Sequence, residues 1–149
     1  MENIIITAAI QGAELTRHDT PYLPVSPEEL AQEAKRAWNE GAAVIHLHVR
    51  DPEGRPSQKA RDYQENMEAI RASGCQAILQ VSTGGALGMK PDERVEPLTL
   101  RPEYATLNTG SINFGRDIFI NSSYMMEELA RAMMTYGVKP EFEIYEEGH

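Results

Sequence analysis

The sequence predicts an α/β fold in which parallel strands alternate with helices. Three observations carry that expectation. Short β-branched apolar runs recur along the chain, each is followed by a helical pattern with its own start or stop residues, and the polar residues of chemical interest gather just after the runs. Folds of this kind keep their chemistry at the carboxyl ends of the strands. At 149 residues the chain is long enough to bury one core, so residues 1–149 read as a single domain. A closed eight-stranded barrel takes roughly 250 residues. The pattern therefore reads as the N-terminal portion of a (β/α)8 barrel or as an open parallel sheet.

In chain order, residues 4–10 (Ile-Ile-Ile-Thr-Ala-Ala-Ile) are nearly continuous in apolar character, as a strand buried on both faces would be. A polar loop follows, closing on Pro21 and Pro24, and it places Glu14 just past the strand. Ser26-Pro27-Glu28-Glu29 marks a helix start: an N-cap, a proline at the first helical position, and acids set against the macrodipole. The helix is expected to reach about Asn39, with Gly41 stopping it and Leu30, Ala34, Ala37 and Trp38 forming its packing face.

Residues 44–51 (Val-Ile-His-Leu-His-Val-Arg-Asp) form the second run. The period of two puts His46 and His48 on one face and Ile45, Leu47 and Val49 on the other, and Pro52 ends the strand. Two imidazoles on one face are two of the three protein ligands of a catalytic zinc site. A pair of hydrogen-bonded histidines is the plainer reading, although buried histidines would each need a partner. His46 and His48 are thus the candidate metal ligands.

A second helix is expected from about Lys59 to Ala72, with Tyr63, Met67 and Ile70 at helical spacing. Residues 75–82 form the third strand, followed at once by Thr83-Gly84-Gly85-Ala86. Glycines in that position either make a plain turn or aim backbone N–H groups at an anion, with the Ser82 and Thr83 hydroxyls as added donors. The spacing is neither a Walker loop nor a dinucleotide fingerprint. Residues 91–102 read as a short capped helical connection, 104–108 as the fourth strand, and 109–115 as a small-residue loop rich in donors. Ser122 and Ser123 precede a helix from Met125 to about Tyr136, with methionines 125, 126, 133 and 134 as core filler and Gly137 as its stop. Residues 142–145 alternate as a fifth strand.

A net charge of −9, from 14 basic and 23 acidic residues, argues against nucleic-acid binding, which needs clustered cations. The single cysteine, Cys75, excludes an internal disulfide and suits a reducing compartment, so a cytoplasmic location is expected. The Met1-Glu2-Asn3 start lacks the positive charge and long apolar core of a signal peptide. No run approaches the roughly 20 residues of a membrane span.

Five ordered motifs carry a resemblance to the β-keto acid cleavage enzymes: Thr7-Ala8-Ala9-Ile10-x-Gly12-Ala13-Glu14; Val44-Ile45-His46-Leu47-His48-x-Arg50; Gly54-Arg55-Pro56-Ser57-Gln58; Ser82-Thr83-Gly84-Gly85-Ala86; and Ala105-Thr106-Leu107-Asn108-x-Gly110-x-Ile112-Asn113-Phe114-Gly115. The likeness extends through Glu141-x-Glu143-x-Tyr145-Glu146. It implies a TIM (β/α)8 barrel of which this chain covers about the first five strands. It further implies a zinc-dependent reaction of a β-keto acid with acetyl-CoA, giving acetoacetate and a new CoA thioester. The implied keto acid is 3-keto-5-aminohexanoate, as in lysine fermentation. By the same resemblance His46 and His48 hold zinc, Ser82, Gly85, Thr106 and Asn108 contact the carboxylate and keto groups, and Glu14 meets the substrate ammonium. Glu143 is a further pocket residue at a strand end.

The family's third zinc ligand, a Glu, and its catalytic Arg and Asp come from the later half of the barrel, past residue 149. The chain is therefore expected to be part of a longer enzyme, inactive alone, and to form homo-oligomers. The competing reading is a non-catalytic half-barrel module that binds metal or anions. A phosphate-handling aldolase is disfavoured, because Lys59, Lys90 and Lys139 lie in expected helices or loops.

Overall fold

The computed structural model describes residues 4–149; the Met1-Glu2-Asn3 start lies outside them. Its centre is a five-stranded, wholly parallel sheet of β1 (Thr7–Ala9), β2 (Val44–Leu47), β5 (Ile78–Val81), β6 (Tyr104–Asn108) and β9 (Lys139–Glu143), paired strictly in chain order. The helices α1 (Pro27–Asn39), α2 (Ala60–Ala72), α3 (Pro91–Val95) and α4 (Ser123–Tyr136), with a 3-10 turn at Glu96–Leu100, form the connections. Two small antiparallel ribbons decorate the sheet: β3 (Val49–Arg50) with β4 (Pro56–Ser57), and the hairpin β7 (Ile112–Phe114) with β8 (Asp117–Phe119). The arrangement is that of a partial (β/α)8 barrel.

Alternation along each strand divides the sheet into two faces. Ile45, Leu47, Leu79, Val81, Ala105 and Leu107 turn outward and are buried in one core with Leu30, Ala34, Tyr63, Ile70, Leu129 and Met133 of the helices. The inner face instead carries a polar row, set by the register His46↔Gln80 between β2 and β5 and Asn108↔Glu143 between β6 and β9. A sheet built this way has its oil on the helix side and its chemistry on the other.

Local signals explain the start of α1 and both ends of α4. Ser26 accepts from Glu29 N and Glu29 reaches back to Ser26 N, a complete capping box at α1. Ser122 caps α4 through Met125 N, and Gly137 closes that helix at φ 71°. No helix among the described residues is long and apolar enough to cross a membrane.

The structure corrects several expectations. The first strand is Thr7–Ala9 alone, and Ile4, Ile5 and Ile6 are 85%, 75% and 53% exposed, because β1 pairs on one side only among the described residues. The second run breaks at His48 into β2 and β3, the latter pairing with β4. The third strand is shorter than expected, Ile78–Val81. The donor-rich loop at 109–115 instead supplies the first strand of a hairpin, with Gly115 at φ 65° in its turn. The fifth strand runs earlier, Lys139–Glu143, and tolerates Pro140 because β9 is an edge strand here. Of the four methionines assigned to the core, Met125 and Met133 are buried, whereas Met134 is 83% exposed.

Candidate functional site

Beyond the carboxyl ends of the strands lies a cavity of about 380 Å³, a size that suits a small-molecule ligand. Its polar wall is drawn from every strand of the sheet: Glu14 follows β1, His46 and His48 sit on and just after β2, Ser82 and Gly85 follow β5, and Asn108 and Glu143 end β6 and β9. Seven of the eight residues singled out from sequence thus line one space. Thr106 does not line it. It is fully buried, its hydroxyl accepting from Thr83 N at 3.3 Å and its carbonyl from the Thr83 hydroxyl, so it anchors the start of the glycine loop.

The two imidazoles sit side by side, ring centroids 5.1 Å apart at 70°. Burial, reinforced by His46 and Arg50 alongside, pushes the His48 pKa down to about 3. His48 is therefore neutral at pH 7, the form that ligates metals. His46 Nδ1 is hydrogen-bonded to Gln80 Oε1 at 2.8 Å. This donor set fits two positions around a zinc ion. Among the described residues no group of three His, Cys, Asp or Glu converges to close a site.

The carboxylates are held rather than loose. Glu14 accepts from Leu87 N at 2.9 Å. Behind it, Arg50 is buried and donates to the carbonyls of Gly12 and Leu15 at 2.9 and 2.7 Å and to that of Gly54 at 3.2 Å, fixing the loop that carries Glu14. Glu143 accepts from Asn108 Nδ2 and from the Tyr145 hydroxyl, the latter at 3.1 Å. Burial and the neighbouring Glu143 charge push the Tyr145 phenol up to about 12, so it stays a donor. The lining holds two carboxylates and no Lys or Arg.

The glycine loop spends some of its own donors. Gly84 N donates to Ser82 Oγ at 3.2 Å, and Leu87 N is taken by Glu14. Gln58 Nε2 grips the Ser82 carbonyl at 2.9 Å while Tyr63 donates to Gln58 Oε1 at 2.9 Å. From behind, the fully buried Arg94 donates to Thr83 O, Ile120 O and Asn121 Oδ1, tying this loop to the segment after the hairpin.

Sequence reasoning did not pick out Tyr145, Phe114, Phe119 or Gln80 as site residues. The two phenylalanines of the hairpin give the cavity an apolar wall and meet edge to face at 6.3 Å. Gln80 carried a legible signal: it interrupts the apolar run of its strand as His46 interrupts its own.

The chain resembles known proteins over nearly its whole length. The chain is 46% identical to the 3-keto-5-aminohexanoate cleavage enzymes of Acetoanaerobium sticklandii, over 98% of this chain and 54% of that one, and of Fusobacterium nucleatum, over 99% and 55%. It is also 46% identical, over 75% of its length and 36% of the relative's, to a 3,5-dioxohexanoate:acetyl-CoA acetone transferase of Paraburkholderia graminis. Among solved structures, a ternary complex of ObcA with a C4-CoA adduct and oxalate superposes with a TM-score of 0.75 at 24% identity, covering 86% of this chain and 32% of that one. The chain spans about half the length of the curated relatives it matches. The sequence model of the beta-keto acid cleavage enzymes matches residues 3–149, and the chain belongs to that family.

Proposed function

We propose that this chain forms the N-terminal portion of a zinc-dependent β-keto acid cleavage enzyme. It would use acetyl-CoA to convert 3-keto-5-aminohexanoate, a lysine-fermentation substrate, into acetoacetate and a CoA thioester. The observation that carries the reading is the cavity lining: neutral imidazole at His48 beside His46, two fixed carboxylates, and no cationic side chain. Such a pocket suits a divalent ion and a substrate with an ammonium group. The names of the two most similar relatives discussed above support the keto acid, and that of the acetone transferase supports acetyl-CoA. The reducing compartment inferred from Cys75 supports a cytoplasmic location.

In this reading His46 and His48 hold the zinc, which supplies Lewis acidity toward the keto oxygen when bound. The chain's own residues orient the substrate. Glu14, pinned by Leu87 N–H, meets the ammonium. Ser82 and the Gly85 amide hold the carboxylate, with Thr106 keeping their loop in place through Thr83. Asn108 contributes through its Oδ1, which is buried without a protein partner and, being an acceptor, suits the substrate's ammonium rather than its carboxylate or keto oxygen. Glu143 fixes Asn108 and is itself held by Tyr145. Phe114 and Phe119 exclude water from one side.

The test is acetoacetate formation from 3-keto-5-aminohexanoate and acetyl-CoA by the gene product that carries this chain. Turnover that requires both substrates and is lost in His46→Ala and His48→Ala is expected. Zinc uptake without turnover of any β-keto acid would instead favour a non-catalytic binding module.

A further inference from the structure

We infer that Gln80 is a positioning residue for His46, fixing its tautomer and ring orientation so that Nε2 is the nitrogen offered to a metal. The metal half of this inference rests on the proposed function; the tautomer half does not. The parallel register of β2 and β5 sets His46 and Gln80 opposite one another, which puts their side chains next to each other on the inner face. Both are buried, Gln80 to 1% exposure and His46 to 9%. Their contact, Nδ1 to Oε1, is 2.8 Å. A carboxamide oxygen only accepts, so Nδ1 carries the proton and Nε2 keeps its lone pair.

Gln80 faces the inner side with His46, away from the core that Leu79 and Val81 enter, and its Nε2 is buried without a partner. Such a group costs stability unless it is held for another purpose. The purpose the geometry offers is the imidazole. Metal-binding histidines commonly donate their second N–H to a carboxylate or carbonyl, and loss of that partner typically lowers metal affinity 10- to 100-fold. Here the partner comes from the neighbouring strand, so sheet register itself aligns the ligand.

The experiment has two readouts on the metal-free and zinc-titrated chain, neither of them turnover. Long-range 1H–15N correlation at pH 8 distinguishes Nδ1–H from Nε2–H, with the His46 signals assigned by their loss in His46→Asn. Wild type is expected in the Nδ1–H form. Gln80→Leu should move the ring toward Nε2–H, and Gln80→Glu, which keeps an acceptor, should restore Nδ1–H. Zinc affinity, measured by competition with a chromophoric chelator, should fall roughly 10- to 100-fold in Gln80→Leu and recover in Gln80→Glu.

An Nε2–H tautomer in wild type would overturn the inference, because the carboxamide would then be turned to donate. So would a Gln80→Leu protein with unchanged tautomer and unchanged zinc affinity. If Gln80→Leu fails to fold, the wild-type spectrum and the Gln80→Glu comparison decide. If wild type takes up no zinc, the metal part of the proposed function falls, while the tautomer spectrum still decides the role of Gln80.

Discussion

At the scale of single residues, Glu14 is the group whose charge, under the proposed function, would most directly select a substrate. Glu14 is exposed, and one of its two carboxylate oxygens accepts from Leu87 N–H at 2.9 Å. Glu14→Gln keeps the shape and removes the charge. For the amino-keto acid it should cost about 1.5–3 kcal/mol, roughly 10- to 150-fold in kcat/KM. A keto acid of similar length without the amine should be affected far less, since it never makes the contact. The ratio of kcat/KM for the two substrates in wild type and variant is the measurement, and an unchanged ratio would remove Glu14 from the ammonium site. Gly85 makes a different kind of demand. It sits at φ +66°, and a Cβ there would stand 2.7 Å from Met89 Sδ and 3.1 Å from Gln58 Cγ. Gly85→Ala should therefore lose roughly 1–2 kcal/mol from the left-handed backbone alone, read as a lower urea midpoint. Because Gln58 also holds the Ser82 carbonyl, weaker substrate binding should accompany the loss.

At the scale of elements, α1 depends on its first turn. Ser26→Ala removes the acceptor for Glu29 N and leaves half of the capping box. A loss of about 1 kcal/mol is expected in chemical denaturation with the slope unchanged. Elements announced this way were legible because their signals are local: Ser26 and Pro27 at α1, Ser122 and Gly137 at α4. Residues 104–108 match their strand for a related reason, lying between Pro102 and the loop after Asn108. Where neighbours decide, the sequence was silent. Nothing in Ile4-Ile5-Ile6 tells that β1 pairs on one side only among the described residues, and Pro140 argues against a strand unless one knows that β9 lies at the edge of the described sheet. The site divides along the same line. His46, His48, Glu14, Ser82 and Asn108 stand at or after strand ends, where chemistry is expected. Tyr145 and Phe119 reach the site through the segment after β9 and a hairpin, which are tertiary facts, and although Gln80 breaks its apolar run, only the register of β2 and β5 shows that it meets His46.

At the scale of the whole molecule, several exposed apolar side chains lie where the described sheet stops. Ile4, Ile5 and Ile6 flank β1, and Phe142 and Ile144 lie on and beside β9. Unpaired edges with apolar flanks associate unless guarded. The β9 edge carries Lys139 and Pro140 as natural guards, whereas β1 carries only Thr7, Ala8 and Ala9. Residues 1–149 should self-associate through the β1 side. In sedimentation velocity the mean sedimentation coefficient should rise with concentration, and Ile5→Lys should suppress the rise. A cooperatively folding monomer at all concentrations would contradict this and favour a self-contained domain.

The strictly sequential order of the sheet, β1-β2-β5-β6-β9, bears on how the molecule is made. Each of β2, β5, β6 and β9 pairs with a strand already made, so only β1 must wait for a later segment before it can pair. On the ribosome, where chains emerge N-terminus first at about 5–20 residues per second, the sheet can grow one βα unit at a time. When β5 emerges it brings Gln80 beside His46, and the polar row is laid down in the order in which it is read out. The segments left exposed at each pause are the newest edge and its bare apolar face. Synthesis is therefore the period in which this chain most needs protection from its own copies.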